Sequence, residues 1–363
     1  MTEESSPGET LPWSAVVATG EYIARMQEAA GGIAWPDGHV EAWDHVECAM
    51  AMSVCGLREP ARRAYRWLRE NQRDDGSWPR STVAGQVTDP AAESHHAAYV
   101  AVGAWHEYLV TGDEGFALVM WPAVRRAVEW TLALRTPRGE VRWERDAAGQ
   151  PGAYALLTGC SSIHQSLRCA VALAKLADDP RPEWELAADR LGSVVASCPE
   201  AFEDKSEFSM DWYYPVLGGA VRGQAGVELI ESRWDVFVEP GLGIRCVDTN
   251  PWVTGAETCE LVMALDSLDD HPRALRLYAD MQHLRHENGS YWTGSVHPEN
   301  VFWPGEQTTY TAAAVILAAD ELSRTSPASG IMRGETLAAP FREIGLECGC
   351  ADDVSADVFS GRT

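Results

Sequence analysis

Amphipathic and wholly apolar helical segments alternate along almost the entire chain, and few folds can bury such a pattern. One kind carries its charges on a single face, as a 3.6-residue period demands of a helix with one side in water. To it belong WSAVVATGEYIARMQ (13–27), PARRAYRWLRENQR (60–73), MWPAVRRAVEWTLAL (120–134), PEWELAADRLGSVVAS (182–197), GVELIESRWDVF (226–237) and PRALRLYADMQHL (272–284). Three of these open on Pro, in the first turn, where the missing N–H costs nothing. The other kind is small and apolar with a polar head: AWDHVECAMAMSVCG (42–56), ESHHAAYVAVGAWHEYL (93–109), SSIHQSLRCAVALAKL (161–176), YYPVLGGAVRG (213–223), TGAETCELVMALDSL (254–268) and FWPGEQTTYTAAAVILAADEL (302–322). Such helices are expected to be buried on nearly every side.

The two kinds pair into six helical hairpins, with inner heads near 43, 93, 161, 211, 254 and 306. That spacing of roughly 50 residues is loose but persistent, as a repeat architecture requires. Gly turns recur at equivalent places, as in DDGSW (74–78) and ENGSYW (287–292), each closing an outer helix. Six hairpins closed in a ring set every inner helix against two neighbours and the axis, which explains the small side chains. The expectation is an all-α fold, an (α/α)6 toroid over residues 13–325, with an N-terminal tail (1–12) and a C-terminal extension (326–363) where Ser, Gly, Pro and acids take over.

A formal charge of −25 repels a phosphate backbone, so nucleic acid is not expected as a partner. No run of about 18 apolar residues reads as a membrane span, and MTEESSPGETLP lacks the basic and apolar regions of a secretory signal. The nine cysteines form no CxxC pair, which points to reduced thiols in the cytoplasm. Cys348 and Cys350, close together in ECGC, belong to the extension.

In such a ring the polar heads converge on one funnel while the apolar remainder fills the bottom. The residues expected there include Trp43, Asp44, His95, His164, Asp211, Trp212, Tyr213, Trp252, Glu257, Trp303, Glu306, Gln307 and Tyr310. Aromatic faces cover the apolar C–H faces of a pyranose and carboxylates accept hydrogen bonds from its hydroxyls, so the expected partner is a small-molecule saccharide or glycoside. Hydrolysing a glycosidic bond needs two carboxyl groups, one protonated and one ionised. Glu306, heading the last inner helix, suits the ionised role, because the positive helix end favours a negative charge. Glu144, beside Trp143, suits the acid, and Asp211 and Glu257 are alternatives for either. An acid at a helix head also has an ordinary capping use. Adjacent His95 and His96 lie about 100° apart on a helix, so no metal is expected, and no cofactor.

The hairpin repeat resembles the α/α toroid superfamilies, shared by six-hairpin glycosidases and by terpenoid cyclases and protein prenyltransferases. QRDDGSW (72–78) is similar to the Gln-Trp repeats of terpene cyclases, but the chain has no DxDD acid motif, and GAETC (255–259) only faintly resembles the zinc-binding element of prenyltransferases. Glucoamylase-like glycosidases are the better match. GEQ (305–307) resembles their acid-Gln dipeptide before the last inner helix, and VRWERD (141–146) their Trp-acid pair; the resemblance implies Glu306 as general base and Glu144 as general acid. Arg145 stands where that family has a second acid, and its Arg-Asp pair is not evident in WPDGHVEAWDH (35–45). The resemblance implies a glycoside hydrolase without cofactor; the alternative is an isoprenoid enzyme whose aromatics stabilise carbocations.

Overall fold

The structure, a computed structural model, describes residues 11–338. It contains twelve α-helices among the described residues: α1 (Trp13–Met26), α2 (Ala42–Val54), α3 (Arg58–Asn71), α4 (Ser94–Thr111), α5 (Glu114–Leu132), α6 (Leu157–Leu176), α7 (Pro182–Ser197), α8 (Ser209–Leu217), α9 (Gly223–Phe237), α10 (Gly255–Asp266), α11 (His271–Asp280) and α12 (Thr309–Ser323). The even-numbered helices form the inner ring: α2 packs on α4, α4 on α6, α6 on α8, α8 on α10, α10 on α12, and α12 returns to α2. The six-hairpin toroid read from the sequence is therefore the fold. The inner helix expected at 213–223 lies earlier, at 209–217, because Gly218 and Gly219 end it; Gly219 takes a positive φ of 78°.

Inner and outer helices differ as their compositions dictate. Every residue of α2 is buried, whereas α3 buries only Ala61, Ala64, Tyr65, Trp67 and Leu68 and gives its arginines to solvent. Small residues set the inner spacing. A Cβ on Gly103 of α4 would lie 2.5 Å from Val46 Cγ1 of α2, so that position tolerates no side chain without displacing its neighbour.

Short strands, which the helical reading did not anticipate, line the rim at the heads of the inner helices. They are β1 (His39–Val40), β2 (Ser81–Val83), β3 (Gln86–Asp89), β4 (Ala92–Glu93), β5 (Glu144–Arg145), β6 (Val238–Glu239), β7 (Gly243–Arg245), β8 (Trp252–Thr254), β9 (Gly294–Val296) and β10 (Val301–Phe302). They form sheets ordered β1-β2-β3, β4-β5 and β10-β9-β8-β7-β6. At two to four residues each, they are too short for a period-2 signal.

The part of the C-terminal extension that is described, 326–338, docks on the opposite end of the ring. Ala328, Ile331 and Met332 are buried there, and Arg333 Nη1 pairs with Asp266 Oδ2 at 2.8 Å and Glu321 Oε2 at 2.6 Å. Cys348 and Cys350 lie outside the described residues. The seven cysteines among the described residues are all free thiols, and no helix of the described residues is long and apolar enough to cross a membrane.

Candidate active site

The heads of the inner helices surround a cavity of about 410 Å³, lined by Glu41, Asp44, Asp211 and Glu257 together with Trp35, Trp43, Trp143, Tyr214 and Tyr310. Glu41 is the N-cap residue of α2, yet its side chain caps nothing. That leaves the carboxyl free for other work, against the usual habit of acids at this position. One turn on, Asp44 Oδ2 accepts the Trp35 indole N–H at 2.6 Å. Glu41 and Asp44 share a hydrogen bond that raises the Glu41 carboxyl and lowers that of Asp44, so Glu41 holds the proton and Asp44 accepts it. Burial first, and the Asp44 charge second, push Glu41 up to about 8; burial pushes Asp44 up to about 7. Both shifts follow from removing a negative charge from water.

Glu257 stands in the first turn of α10 and accepts the Cys246 thiol. Helix α12 lies between α10 and α2 in the ring, and its Tyr310 donates to Glu260 Oε1 at 2.9 Å. Glu260, one turn below Glu257, also accepts from Tyr214 at 2.7 Å and from Tyr213. Glu47, one turn below Asp44, accepts from Tyr99 at 3.0 Å. Burial first, and the Glu260 charge second, raise Glu47, while burial first, and the Glu257 charge second, raise Glu260, so the floor of the site resists further negative charge.

The walls are stacked aromatics. Trp43 lies on Tyr99 with ring centroids 3.8 Å apart and planes 13° apart, and His95 lies on Trp143 at 4.3 Å and 19°. Leu156, Phe208 and Met210 complete an apolar side, and Lys205 is a cation at the lining, one that inspection of the helix heads alone missed.

Of the residues expected in the funnel, Trp43, Asp44, His95, Asp211, Glu257 and Tyr310 line the cavity. Asp211 is also structurally engaged, accepting from the Thr158 hydroxyl at 2.6 Å and the Thr158 N–H at 3.3 Å at the head of α6. The others stand elsewhere. Glu144 pairs with Arg80, which also holds Glu93 at 2.6 Å and Asp89 at 2.9 Å, and it is not among the residues that line the cavity. Glu306 precedes α12 outside the lining, its carbonyl accepting from Thr293 N. Gln307 Oε1 accepts from Ser290 at 2.6 Å and its carbonyl from Tyr22 at 2.8 Å, which occupies it structurally. Trp212 is buried against Phe237, its indole N–H on the Leu229 and Ile230 carbonyls. Tyr213 is fully buried beneath the cavity. His164 bonds the Gly218 carbonyl at 2.8 Å beside a separate cavity that Met332 and Arg333 border. Trp252 and Trp303 sit on the rim sheet.

Sequence reasoning left Trp35 and Tyr214 outside the site, and counted Glu41 among the polar helix heads of the funnel without giving it a catalytic role. For Glu41 a signal existed: Glu41, Asp44 and Glu47 step by three along one helix face. The histidine reading needs correction, since ring atoms of His95 and His96 do come together with Glu93, all within 4.8 Å. Their rings fold towards each other, centroids 4.2 Å apart, in the first turn of α4. Arg80 already occupies Glu93, and its charge opposes a cation there. Burial holds both histidines below the ordinary imidazole range.

No family model matches the sequence. The chain is 53% identical, over 334 residues covering 92% of both sequences, to the MMP endo-(1,4)-3-O-methyl-alpha-D-mannosidase of Mycolicibacterium hassiacum. Solved structures share the fold: a glycosidase variant in complex with glucose (TM-score 0.68, 16% identity, 86% of this chain and 98% of that one), a D-mannose isomerase (0.66, 10%, 86% and 97%) and an alpha-amylase from Clostridium perfringens (0.63, 9%, 88% and 99%). The isoprenoid alternative finds no support among these relatives.

Proposed function

The chain belongs to the family of that mycobacterial endo-mannosidase and is a glycoside hydrolase, and from this premise we propose that it cleaves internal α-(1,4) bonds of a mannan bearing 3-O-methyl groups. The observation that carries the reading is the convergence of the Glu41–Asp44 pair and Glu257 on one cavity that also has an apolar, aromatic side. A methyl ether replaces a hydroxyl donor by an apolar group, and Leu156, Phe208, Met210 and the indole faces of Trp35, Trp43 and Trp143 suit such a surface better than a fully hydroxylated sugar.

In the proposed reaction Glu41 gives its proton to the bridging oxygen as the C1–O bond breaks. Asp44 is a positioning residue that keeps this proton on Glu41 and, through Trp35, fixes the wall. Glu257 takes a proton from the water whose oxygen bonds to C1. The proton lost by Glu41 and that gained by Glu257 exchange with solvent, which restores the site. Tyr214 and Tyr310, held by Glu260, orient the sugar. We place the enzyme in the cytoplasm, supported by its free thiols, acting on a neutral saccharide; the −25 charge argues against nucleic acid.

The test is release of new reducing ends from α-(1,4)-linked 3-O-methylmannan, with the unmethylated mannan as comparison. Mid-chain products from the methylated polymer, slower cleavage of the unmethylated one, and a loss of at least about a thousandfold in kcat for Glu257→Gln are expected. Wild-type activity retained by Glu257→Gln would refute the assignment of the base.

A further inference from the structure

The rim sheet carries aromatic surface that neither the cavity nor the core uses. Trp303 is 54% exposed and Phe302 39%. Phe302 stacks on Trp292 with centroids 4.9 Å apart and planes 8° apart, and Trp303 meets Trp252 edge-on at 4.9 Å and 82°. These rings are held in place. The Trp252 indole N–H donates to the Trp303 carbonyl at 2.6 Å, and Trp303 N–H donates to the Gly294 carbonyl at 3.0 Å. Gly294 permits this arrangement, because a Cβ there would meet the Val253 carbonyl and lie 2.6 Å from Trp252 Nε1. A glycine that lets an indole lie across a strand, so that a second indole stands half in water, is a fixed surface rather than a loose loop.

The placement of this surface is set by the chain. Strand β8 runs directly into α10, so Trp252 is within about 17 Å of Glu257 even if the intervening backbone were fully extended. Strand β10 leads through 303–308 to Tyr310 at the head of α12. Glu257 and Tyr310 both line the cavity, so the platform stands at the same end of the ring as the cavity. An endo-acting enzyme must accommodate polymer beyond the sugars at the cleaved bond, and a neutral chain meets no repulsion from a protein of charge −25.

We propose that Trp303 and Phe302, backed by Trp252 and Trp292, form a second saccharide-binding platform that grips the methylated mannan a few sugars away from the bond being cut. The inference rests on the mannan reading given above. Ring faces cover the C–H and methyl groups of the sugar, and the rigid sheet holds them in the bound geometry before the polymer arrives, which limits the entropy lost on binding.

The experiment compares Trp303→Ala and Phe302→Ala in the full chain, with two substrates: the methylated polymer, and a methylated trisaccharide short enough to occupy the cavity alone. Steady-state kinetics are read alongside calorimetric binding in a Glu257→Gln background. The platform predicts about a tenfold rise in KM and in Kd for the polymer with kcat unchanged, and no change for the trisaccharide. Equal weakening for both substrates, or none for the polymer, overturns it. A change of oligomeric state in sizing chromatography without loss of polymer binding also overturns it, and assigns the patch to a second copy of the chain. Absence of turnover by the wild type would instead sink the reaction assignment, while the binding comparison still decides the platform.

Discussion

Replacing Glu41 by Gln isolates the energetic consequence of a carboxyl held protonated in the site. Glu41 titrates near 4.5 when unperturbed and is pushed up to about 8 in the fold. A group raised in this way contributes stability that is fully present below its unfolded pKa and is lost as pH rises through its folded one. Integrating between pH 6.8 and 8.0 gives a loss of about 1.3 kcal/mol from Glu41 and about 0.5 kcal/mol from Asp44, which is pushed up to about 7. The buried histidines His45 and His106, lowered to about 4 and about 3, have the opposite sign. Their contribution grows as pH rises and is nearly complete above their unfolded value near 6.5, and it is common to both proteins. The difference between wild type and Glu41→Gln therefore reports Glu41 together with the change its loss makes in the hydrogen-bonded Asp44. Urea denaturation at the two pH values is the assay, with the m-value checked for constancy. Wild type is expected to lose about 1 kcal/mol more than the variant over this interval. Identical pH dependence in the two, or a steeper loss in the variant, would refute the claim that Glu41 is protonated at neutral pH.

The same proton sets an activity limit: kcat/KM should fall on an alkaline limb near pH 8 as Glu41 loses it, read from a pH profile on the methylated polymer. Glu306→Gln should retain turnover within about threefold, since Glu306 does not line the cavity, and its kcat is the measurement. Gly103→Ala should cost about 1–3 kcal/mol in urea denaturation, because the added methyl meets Val46 on the facing inner helix.

Most of the architecture was readable from composition along the chain. Inner helices such as α2, buried throughout, and α12, buried at all but Tyr310 and Ser323, must be apolar on nearly all sides, and a closed inner ring explains six such helices alternating with amphipathic partners. Asp44 and Glu257 were readable for the same reason, as acids in the first turn of helices that otherwise carry small apolar residues. Glu306 was read from its place at a helix head and Glu144 from its Trp143 neighbour, each with support from likeness to another family; neither lines the cavity, and what engages Glu144 is long-range. The pairing of β4 with β5 brings Glu144 beside Glu93 and Arg80, which is 64 residues away in sequence. Nothing local in VRWERD reveals that clamp. Trp35 was invisible for a similar reason: it precedes α2 in a turn, and only the folded chain turns its indole onto Asp44.

The inner ring closes without a chain connection where α12 meets α2, and α1 lies against both. That junction is a seam: the first and last helices are neighbours, pinned by the Tyr22 hydroxyl on the Gln307 carbonyl. Joining them with a linker and opening the chain at an exposed connection, such as the one between α4 and α5, would give a circular permutant with the same acids at the same heads.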